Sequence, residues 1–354
     1  MLDTNFKTLR HSSFSSKFIF LSPIIVILLF IVSIISLSNG AVSTSFQDIY
    51  NYVLSLLFNT TEIDPVKEKV ISNIRFPRII LAILVGASLA VSGASLQGVF
   101  KNPMADPGII GVSSGAALGA VFVLSVGLAS FSLLMLPLFS FLGGLSAAFL
   151  VFIISRLASS SSSSSFILSG LAVSTFLNSV ISLIILSSKK FGELTSILSW
   201  LAGGFQDSRW EHVYITFPIV LTALPFLIIY SNRINILSLS DDSAKSLGLN
   251  VNKDKLVILT IATLITSISV AVSGILAFVG IMIPHITRLI VGPDNRVVIP
   301  VSALVGSLFI LTGDLLARTL FIPNEIRLGI ITSFIGAPYF IFLLIKQRNT
   351  YIER

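Results

Sequence analysis

The stretch RIILAILVGASLAVSGASLQGVFKNPMADPG, residues 78–108, decides the fold of this chain. Its first part, residues 78–100, carries no charge after Arg78 and is long enough to cross a membrane, which takes about 20 apolar residues. The run stops at KNPMADPG, residues 101–108, where two prolines prevent the helix from continuing. A second apolar run, residues 109–128, follows at once. Two spans joined by a break are predicted, and the break is either an ordinary turn or a loop with its own function.

The composition extends this prediction to the whole chain. Of the 354 residues, 54% are hydrophobic and 11% are charged, and the mean hydropathy is +0.97. A soluble domain carries about 25% charged residues, so this chain has too little polar surface to cover its apolar residues in water. We predict an all-α polytopic membrane protein of about ten transmembrane helices, forming a single transmembrane domain over residues 1–354. The segments are expected near 18–38, 77–99, 109–128, 133–155, 166–187, 211–231, 255–273, 280–291, 298–317 and 328–345.

The charges indicate the orientation of the chain. The net charge is +7, but the basic residues are scattered between apolar runs, which favours positive-inside topology over binding to nucleic acid. Most of the lysines and arginines fall in loops on the same side as the N-terminus. We therefore predict cytoplasmic N- and C-termini, with residues 1–17 as a cytoplasmic tail and 232–254 as the largest cytoplasmic loop. The apolar run near the N-terminus is expected to be a retained first span.

Small residues recur every four positions along the second span, at Gly86, Ala90, Ala94 and Gly98. In lipid, such a stripe lets two helix backbones approach closely. We predict that this helix packs inside a bundle. Chance spacing in a chain rich in glycine and alanine is the alternative.

Groups that could carry catalysis are scarce. There is no cysteine, and the three histidines lack metal-binding spacing, although a haem-ligand role for His285 stays open. No phosphate-binding glycine-rich loop is present, so ATP, if it drives the protein, must bind to another chain. Asp314 is the main candidate for a charge inside the membrane. The scarcity of such charges argues against an ion-coupled carrier.

Two further patterns lie near the ends of the spans. In LSLSDDSAKSLGL, residues 237–249, Ser240 can cap a short helix, Asp241 and Asp242 suit its first turn, and Gly248 can end it. This helix is either a simple surface helix or a docking site for a cytoplasmic partner. Arg75 and Arg78, in RFPR, and Arg318 are expected to face outward, as interfacial anchors or as partners for carboxylates of another protein.

Several segments together resemble the membrane permease subunits of ATP-driven (ABC) importers for iron–siderophore complexes, haem and vitamin B12, the type II ABC importers. The segments occur in the order of the family and cover about residues 20–345. They are RFPRIILAILVGASLAVSGASLQGVFKNPMADPGIIGVSSGA, ILSGLAVS, LSWLAGGF, ILSLSDDSAKSLGL, GILAFVGIMIPHITR and GDLLARTLFIPNEIRLGIITSFIGAPYFIFLL.

The resemblance implies a fold and an assembly. The fold is the type II importer permease fold, with ten transmembrane helices. A second permease subunit, identical or homologous, completes the pathway. Two ATPase subunits, which bind ATP and Mg, dock on the cytoplasmic side, and an extracellular substrate-binding protein docks on the other. The chain itself is expected to bind no cofactor or metal and to be no enzyme.

The resemblance also assigns residues. Arg75, Arg78 and Arg318 match the arginines that receive acidic residues of the binding protein. The loop KNPMADPG matches the loop that narrows the pathway at its cytoplasmic end. The cytoplasmic gate would comprise Asn102, Pro103 and Met104, with Ser163 and Ser164 from the serine run at 159–165. Coupling to the ATPase would involve Ser240, Asp241, Asp242, Ala244, Lys245, Leu247 and Gly248, although Ser240-Asp241 departs from the family's usual Leu-Gly-Glu.

The function expected from this resemblance is import of an iron–siderophore cargo across the plasma membrane of a bacterium. Haem or vitamin B12 is the alternative cargo within the family. The alternative from another class is an ion-coupled secondary transporter. In either case membrane lipid surrounds the protein. A homodimer and a heterodimer of permeases fit the sequence equally well.

Overall fold

The computed structural model describes residues 4–40, 42, 44–58, 64–158, 163–188 and 190–352, with side chains except at 4–17, 56–57, 109, 163–164, 344 and 346–352. These residues form fifteen α-helices, and no strand occurs among them. The helices are α1 (Thr4–Ser38), α2 (Phe46–Phe58), α3 (Pro65–Lys69), α4 (Phe76–Phe100), α5 (Val112–Val126), α6 (Met135–Leu157), α7 (Ser163–Ser187), α8 (Phe191–Leu201), α9 (Trp210–Ile229), α10 (Ser231–Leu237), α11 (Asp241–Ser246), α12 (Val251–Ser273), α13 (Val279–Val291), α14 (Asn295–Thr319) and α15 (Leu328–Ile352).

Ten of these helices account for the ten predicted segments. Seven are long and apolar enough to cross a bilayer: α1, α4, α6, α7, α9, α12 and α14. The shorter apolar helices are α5, α13 and α15, the last over its apolar part, 328–343. Each predicted segment falls on one of these helices, so the prediction of an all-α membrane protein is confirmed. Helices α2, α3 and α8 lie between the predicted segments.

Helix α4 is the most deeply buried of the long helices, with α9, α12, α13 and α14 packed around it. The predicted stripe of small residues lies in these contacts. A Cβ atom added at Gly86 would lie 2.3 Å from the carbonyl oxygen of Gly306, on α14. One added at Gly93 would lie 1.9 Å from the carbonyl oxygen of Gly280, on α13. Since no real Cβ approaches a backbone oxygen this closely, only glycine permits these crossings. Ala90 and Ala94 are fully buried, and Gly98 faces Ile234.

A short non-helical segment lies within the bundle between α12 and α13. Residues 274–278 are non-helical, and Gly274 and Phe278 have φ angles of +67°. Gly274 is pressed against the carbonyl oxygen of Trp200, where a side chain would not fit. Helix α13 has 13 residues and is therefore about 20 Å long, too short to cross a bilayer. In this segment Gly274 and Leu276 are buried and the other three residues are half-buried. Non-helical backbone within a membrane is tolerated where it is buried in protein.

The two ends of the bundle are named here by their residues. The upper end comprises residues 36–40, 42, 44–58, 64–78, 203–210 and 318–327, where Trp210 donates to the carbonyl of Ser72 and Gln206 to that of Ile326. The lower end comprises residues 101–111, 230–250 and 292–296, where Asn235 donates to Asp294. Helix α4 runs from the upper end to the lower end.

Candidate functional sites at the two ends of the bundle

Arg75, Arg78 and Arg318 lie together at the upper end, but their side chains are buried. They are 3%, 4% and 5% exposed, respectively. These side chains are not free at the surface, because each guanidinium has partners within the chain. Their docking role stays a prediction.

Arg78 is the centre of this arginine cluster. Its Nε lies 3.0 Å from both carboxylate oxygens of Asp314, and its Nη2 lies 2.9 Å from Oδ1 of the same residue. Its Nη1 donates to Glu325 Oε2 at 3.0 Å. A two-point guanidinium–carboxylate pair of this kind fixes geometry as well as charge. One arginine thus joins the start of α4 to α14 and to the loop before α15.

The other two arginines attach the end of α1 to the same cluster. Arg318 Nε lies 3.3 Å from Asp314 Oδ2, one turn earlier in α14. Its Nη atoms donate to Ser36 and to the carbonyl of Asn39. Arg75 donates to the carbonyls of Leu37 and Val42 and to the hydroxyl of Thr44. Arg78 and Arg318 thus share Asp314, Arg75 is bonded to neutral oxygens, and of the two carboxylates only that of Glu325 is partly exposed, with a side-chain exposure of 32%.

Asp314 is the intramembrane charge that the sequence analysis singled out. It is fully buried and pairs with both Arg78 and Arg318. A carboxylate held between two guanidinium groups is a structural counter-ion rather than a free site for a proton or sodium ion. The geometry at Asp314 therefore adds nothing in favour of an ion-coupled carrier.

The loop KNPMADPG at the lower end is short and hydrogen-bonded internally. Lys101 ends α4 in the left-handed conformation, with φ +53°. The Asn102 N–H donates to the carbonyl of Gln97 at 3.2 Å, and its Oδ1 accepts from the Met104 N–H at 2.9 Å. Asp106 Oδ1 accepts from the Gly108 N–H at 2.7 Å and caps the 3₁₀ turn Pro107–Ile110. Few backbone groups are left to rearrange, so the loop has one well-defined shape.

The proposed gate residues differ in their burial and in whether their side chains are described. Asn102 and Met104 are half-buried, and Pro103 is exposed. Ser163 and Ser164 begin α7, but their side chains lie outside the described residues. The preceding serines, 159–162, are outside the described residues altogether.

The predicted short helix at 237–249 is confirmed as α11. The hydroxyl of Ser240 accepts from the Ser243 N–H at 3.0 Å and caps the helix. The helix ends at Ser246, and Gly248 follows with φ +84°. The side chains divide between two faces. Ala244 is buried, and Asp242, Lys245 and Leu247 are exposed.

Asp241 points toward the body of the protein and is half-buried. Its Oδ1 accepts from Lys101 Nζ at 2.8 Å, and its Oδ2 accepts from Lys255 Nζ at 2.8 Å. These bonds hold the pKa of the Asp241 carboxyl below its ordinary value of 3.8. The sequence analysis missed Lys101 and Lys255 because they lie far from Asp241 in sequence and because no local pattern pairs them. Among the described residues, no group of three histidines or acidic residues is placed to hold a metal ion.

The comparisons with known proteins agree over nearly the whole chain. Residues 27–346 match the FecCD transport family. The cobalamin import system permease of Halobacterium salinarum is 41% identical, over 83% of this chain and 77% of that protein. An Fe(3+)-citrate import system permease of Bacillus subtilis is 36% identical, over 91% and 93%. Other relatives are named for import of hemin and of molybdate.

A solved structure shares both the fold and the sequence. It is an inward-facing conformation of a metal-chelate type ABC transporter, with a TM-score of 0.80 and 36% identity. The match covers 91% of this chain and 97% of that one. In these systems the ATPase is a separate subunit, and the permease is not an enzyme. The chain therefore belongs to the FecCD transport family, as a membrane-embedded permease subunit of an ABC importer.

Proposed function

We propose that this chain, paired with a second permease subunit, forms the translocation pathway of an ATP-driven importer for ferric siderophores. The observation that carries the proposal is the match over almost the full length to a metal-chelate type transporter. A relative named for Fe(3+)-citrate import supports a ferric chelate as cargo. The likeness to a cobalamin permease makes vitamin B12, or haem, the second candidate.

In this proposal the lower end faces the cytoplasm of a bacterium and the upper end faces outward. The predominance of basic residues on the N-terminal side supports cytoplasmic termini. The exposed face of α11, with Asp242, Lys245 and Leu247, would contact one of two ATPase subunits that bind ATP and Mg. The residues Ser240, Asp241, Ala244 and Gly248 would shape and position that helix.

The gate would lie next to α11 at the same end. Asn102, Pro103 and Met104 would narrow the pathway where two subunits meet, together with Ser163 and Ser164. The hydrogen bonds within the loop support this role, because a loop of fixed shape can hold a side chain in a pore. Non-helical backbone near the membrane is tolerated where it lines a cavity.

At the upper end, the arginine cluster would receive acidic residues of an extracellular binding protein. Because Arg75, Arg78 and Arg318 already have partners, a carboxylate from outside would have to replace one of them. Glu325 is the partner to replace, since it is the partly exposed carboxylate of the cluster. Docking would thus be an exchange of carboxylates at Arg78.

Uptake by proteoliposomes tests the proposal. The permease is reconstituted with its ATPase and binding protein, and radiolabelled ferric siderophore, cobalamin and hemin are supplied separately, with and without ATP inside. We expect ATP-dependent uptake of the ferric siderophore. Uptake of cobalamin or hemin alone would overturn the choice of cargo, and uptake that persists without ATP would indicate a secondary transporter.

A further inference from the structure

The lower end contains one carboxylate that joins three elements. Asp241 begins α11, Lys101 is the last residue before the loop 102–108, and Lys255 lies in the first turns of α12. Each lysine Nζ lies 2.8 Å from a different oxygen of the Asp241 carboxylate. Both oxygens are therefore used, and a displacement of α11 must stretch or break at least one of these pairs.

The Lys101 side of this bridge leads directly into the loop. The left-handed backbone of Lys101 sets the direction in which the chain leaves α4. The next residue, Asn102, is bonded to Gln97 behind it and to Met104 ahead of it. A displacement of Lys101 is therefore transmitted to the loop, because these hydrogen bonds restrict changes in the loop's own conformation.

We infer that Asp241 is a positioning residue that links movement of α11 to the loop 102–104 through Lys101, with Lys255 holding the carboxylate between them. The inference rests on the proposed function, in which α11 contacts the ATPase and the loop narrows the pathway. It assigns Asp241 a contact within its own chain, and it leaves the contact with the ATPase to the exposed residues of α11.

A simpler role must be separated from this one. Any acidic residue in a first helical turn stabilises the helix through its dipole. Asp242 is in the same turn, its side chain is 95% exposed, and its ion-pair partner is Lys245, at 3.4 Å. Asp242→Asn is therefore the matched control for the label-distance measurement, because it loses the same interaction with the dipole and leaves the bridge intact.

The experiment measures cargo transported per ATP hydrolysed by the complete transporter in proteoliposomes. We expect Asp241→Asn and Lys101→Gln each to lower this ratio about two- to fivefold, the effect of losing partly exposed ion pairs. Lys101→Arg should keep the ratio. The double variant Asp241→Asn with Lys101→Gln should be no worse than Asp241→Asn, because the two residues act through one contact.

A second measurement does not depend on transport. The chain has no cysteine, so spin labels can be attached at Met104→Cys and Ser246→Cys alone. With the thiols reduced before labelling, we expect one narrow distribution for the distance between the two labels of one subunit in the otherwise native protein, and a broadened distribution with Asp241→Asn or with Lys101→Gln. The same broadening with Asp242→Asn would assign the effect to the helix dipole and overturn the inference.

The remaining outcomes also decide the matter. If Asp241→Asn lowers the transport ratio and Lys101→Gln does not, the carboxylate does not act through the loop, and the inference fails. If the native transporter shows no ATP-dependent uptake, the proposed function fails. The label distances then decide, independently, whether the bridge holds the loop.

Discussion

The arginine cluster predicts that Asp314→Asn destabilises the fold far more than the loss of an ordinary surface carboxylate. The substitution keeps the shape of the side chain and removes its charge. Two buried guanidinium groups then lose their shared counter-ion. Arg78 keeps Glu325, whereas Arg318 keeps only neutral oxygens from Ser36 and Asn39.

The magnitude follows from burial. Breaking a buried ion pair by removing one partner typically costs about 3–5 kcal/mol, because an uncompensated charge stays in the interior. Asp314 pairs with two arginines at 2.9 and 3.3 Å, so we expect at least about 3 kcal/mol. The double variant Arg78→Met with Asp314→Asn should cost less than the sum of the two single variants, since each single variant leaves a charge unpaired.

The free energy of unfolding can be measured by titration with SDS in mixed micelles. Asp48→Asn is the matched control, because Asp48 also pairs with a basic residue, Lys67, at 2.9 Å, but the pair is partly exposed. Its loss should cost much less, because solvent screens a partly exposed ion pair. If Asp314→Asn proves no more destabilising than Asp48→Asn, the cluster does not contribute the stability argued for it here.

Three further outcomes are expected. Gly93→Ala should lower the free energy of unfolding in the same titration by about 1–3 kcal/mol, because the added Cβ would lie 1.9 Å from a backbone oxygen. Gly192→Ala is the control, since its added Cβ meets nothing within 4 Å and should have no effect. If the two variants lower the free energy of unfolding equally, the crossing at Gly93 is not tight. Met104→Cys should form a disulfide between two permease subunits, which requires Cα atoms within about 7 Å. The yield of this disulfide should change when ATP binds. If the active transporter forms no cross-link in any nucleotide state, Met104 is not part of the gate. Glu325→Gln should remove the charged partner of Arg78 Nη1, while the pair with Asp314 stays, and tighten association with the binding protein about two- to fivefold at low salt. Unchanged association in a surface-immobilised binding assay would argue against docking at that arginine.

The parts of the fold that the sequence predicted are those set by local physics. The apolar runs predicted the membrane helices because crossing a bilayer demands length and hydrophobicity within one continuous segment. The α11 helix was predictable because its cap, Ser240, and its terminating glycine, Gly248, lie within a few residues of each other. Helix α8 was missed because its 11 residues are too few for a span.

The ion pairs could not be predicted, because they join residues that are distant in sequence. Arg78 and Asp314 are 236 positions apart, and Lys101 and Asp241 are 140 apart. An arginine at a helix end suggests a surface position, since nothing nearby in sequence reveals a buried acid. Burial of such an arginine depends on the tertiary packing of α4 against α14.

Helix α4 connects the two charged centres of this protein. Its upper end begins at the arginine cluster, and its lower end closes at Lys101, about 37 Å away for 25 residues. Where Gly86 and Gly93 cross its neighbours, there are no side chains to interlock. Elsewhere along α4, large side chains such as Leu89 and Leu96 are buried in the bundle, and Ser92 donates to the carbonyl of Ala262 on α12, so the helix is held to its neighbours and can move only together with them. A displacement of this helix would therefore change the surroundings of the arginine cluster and of Lys101 together.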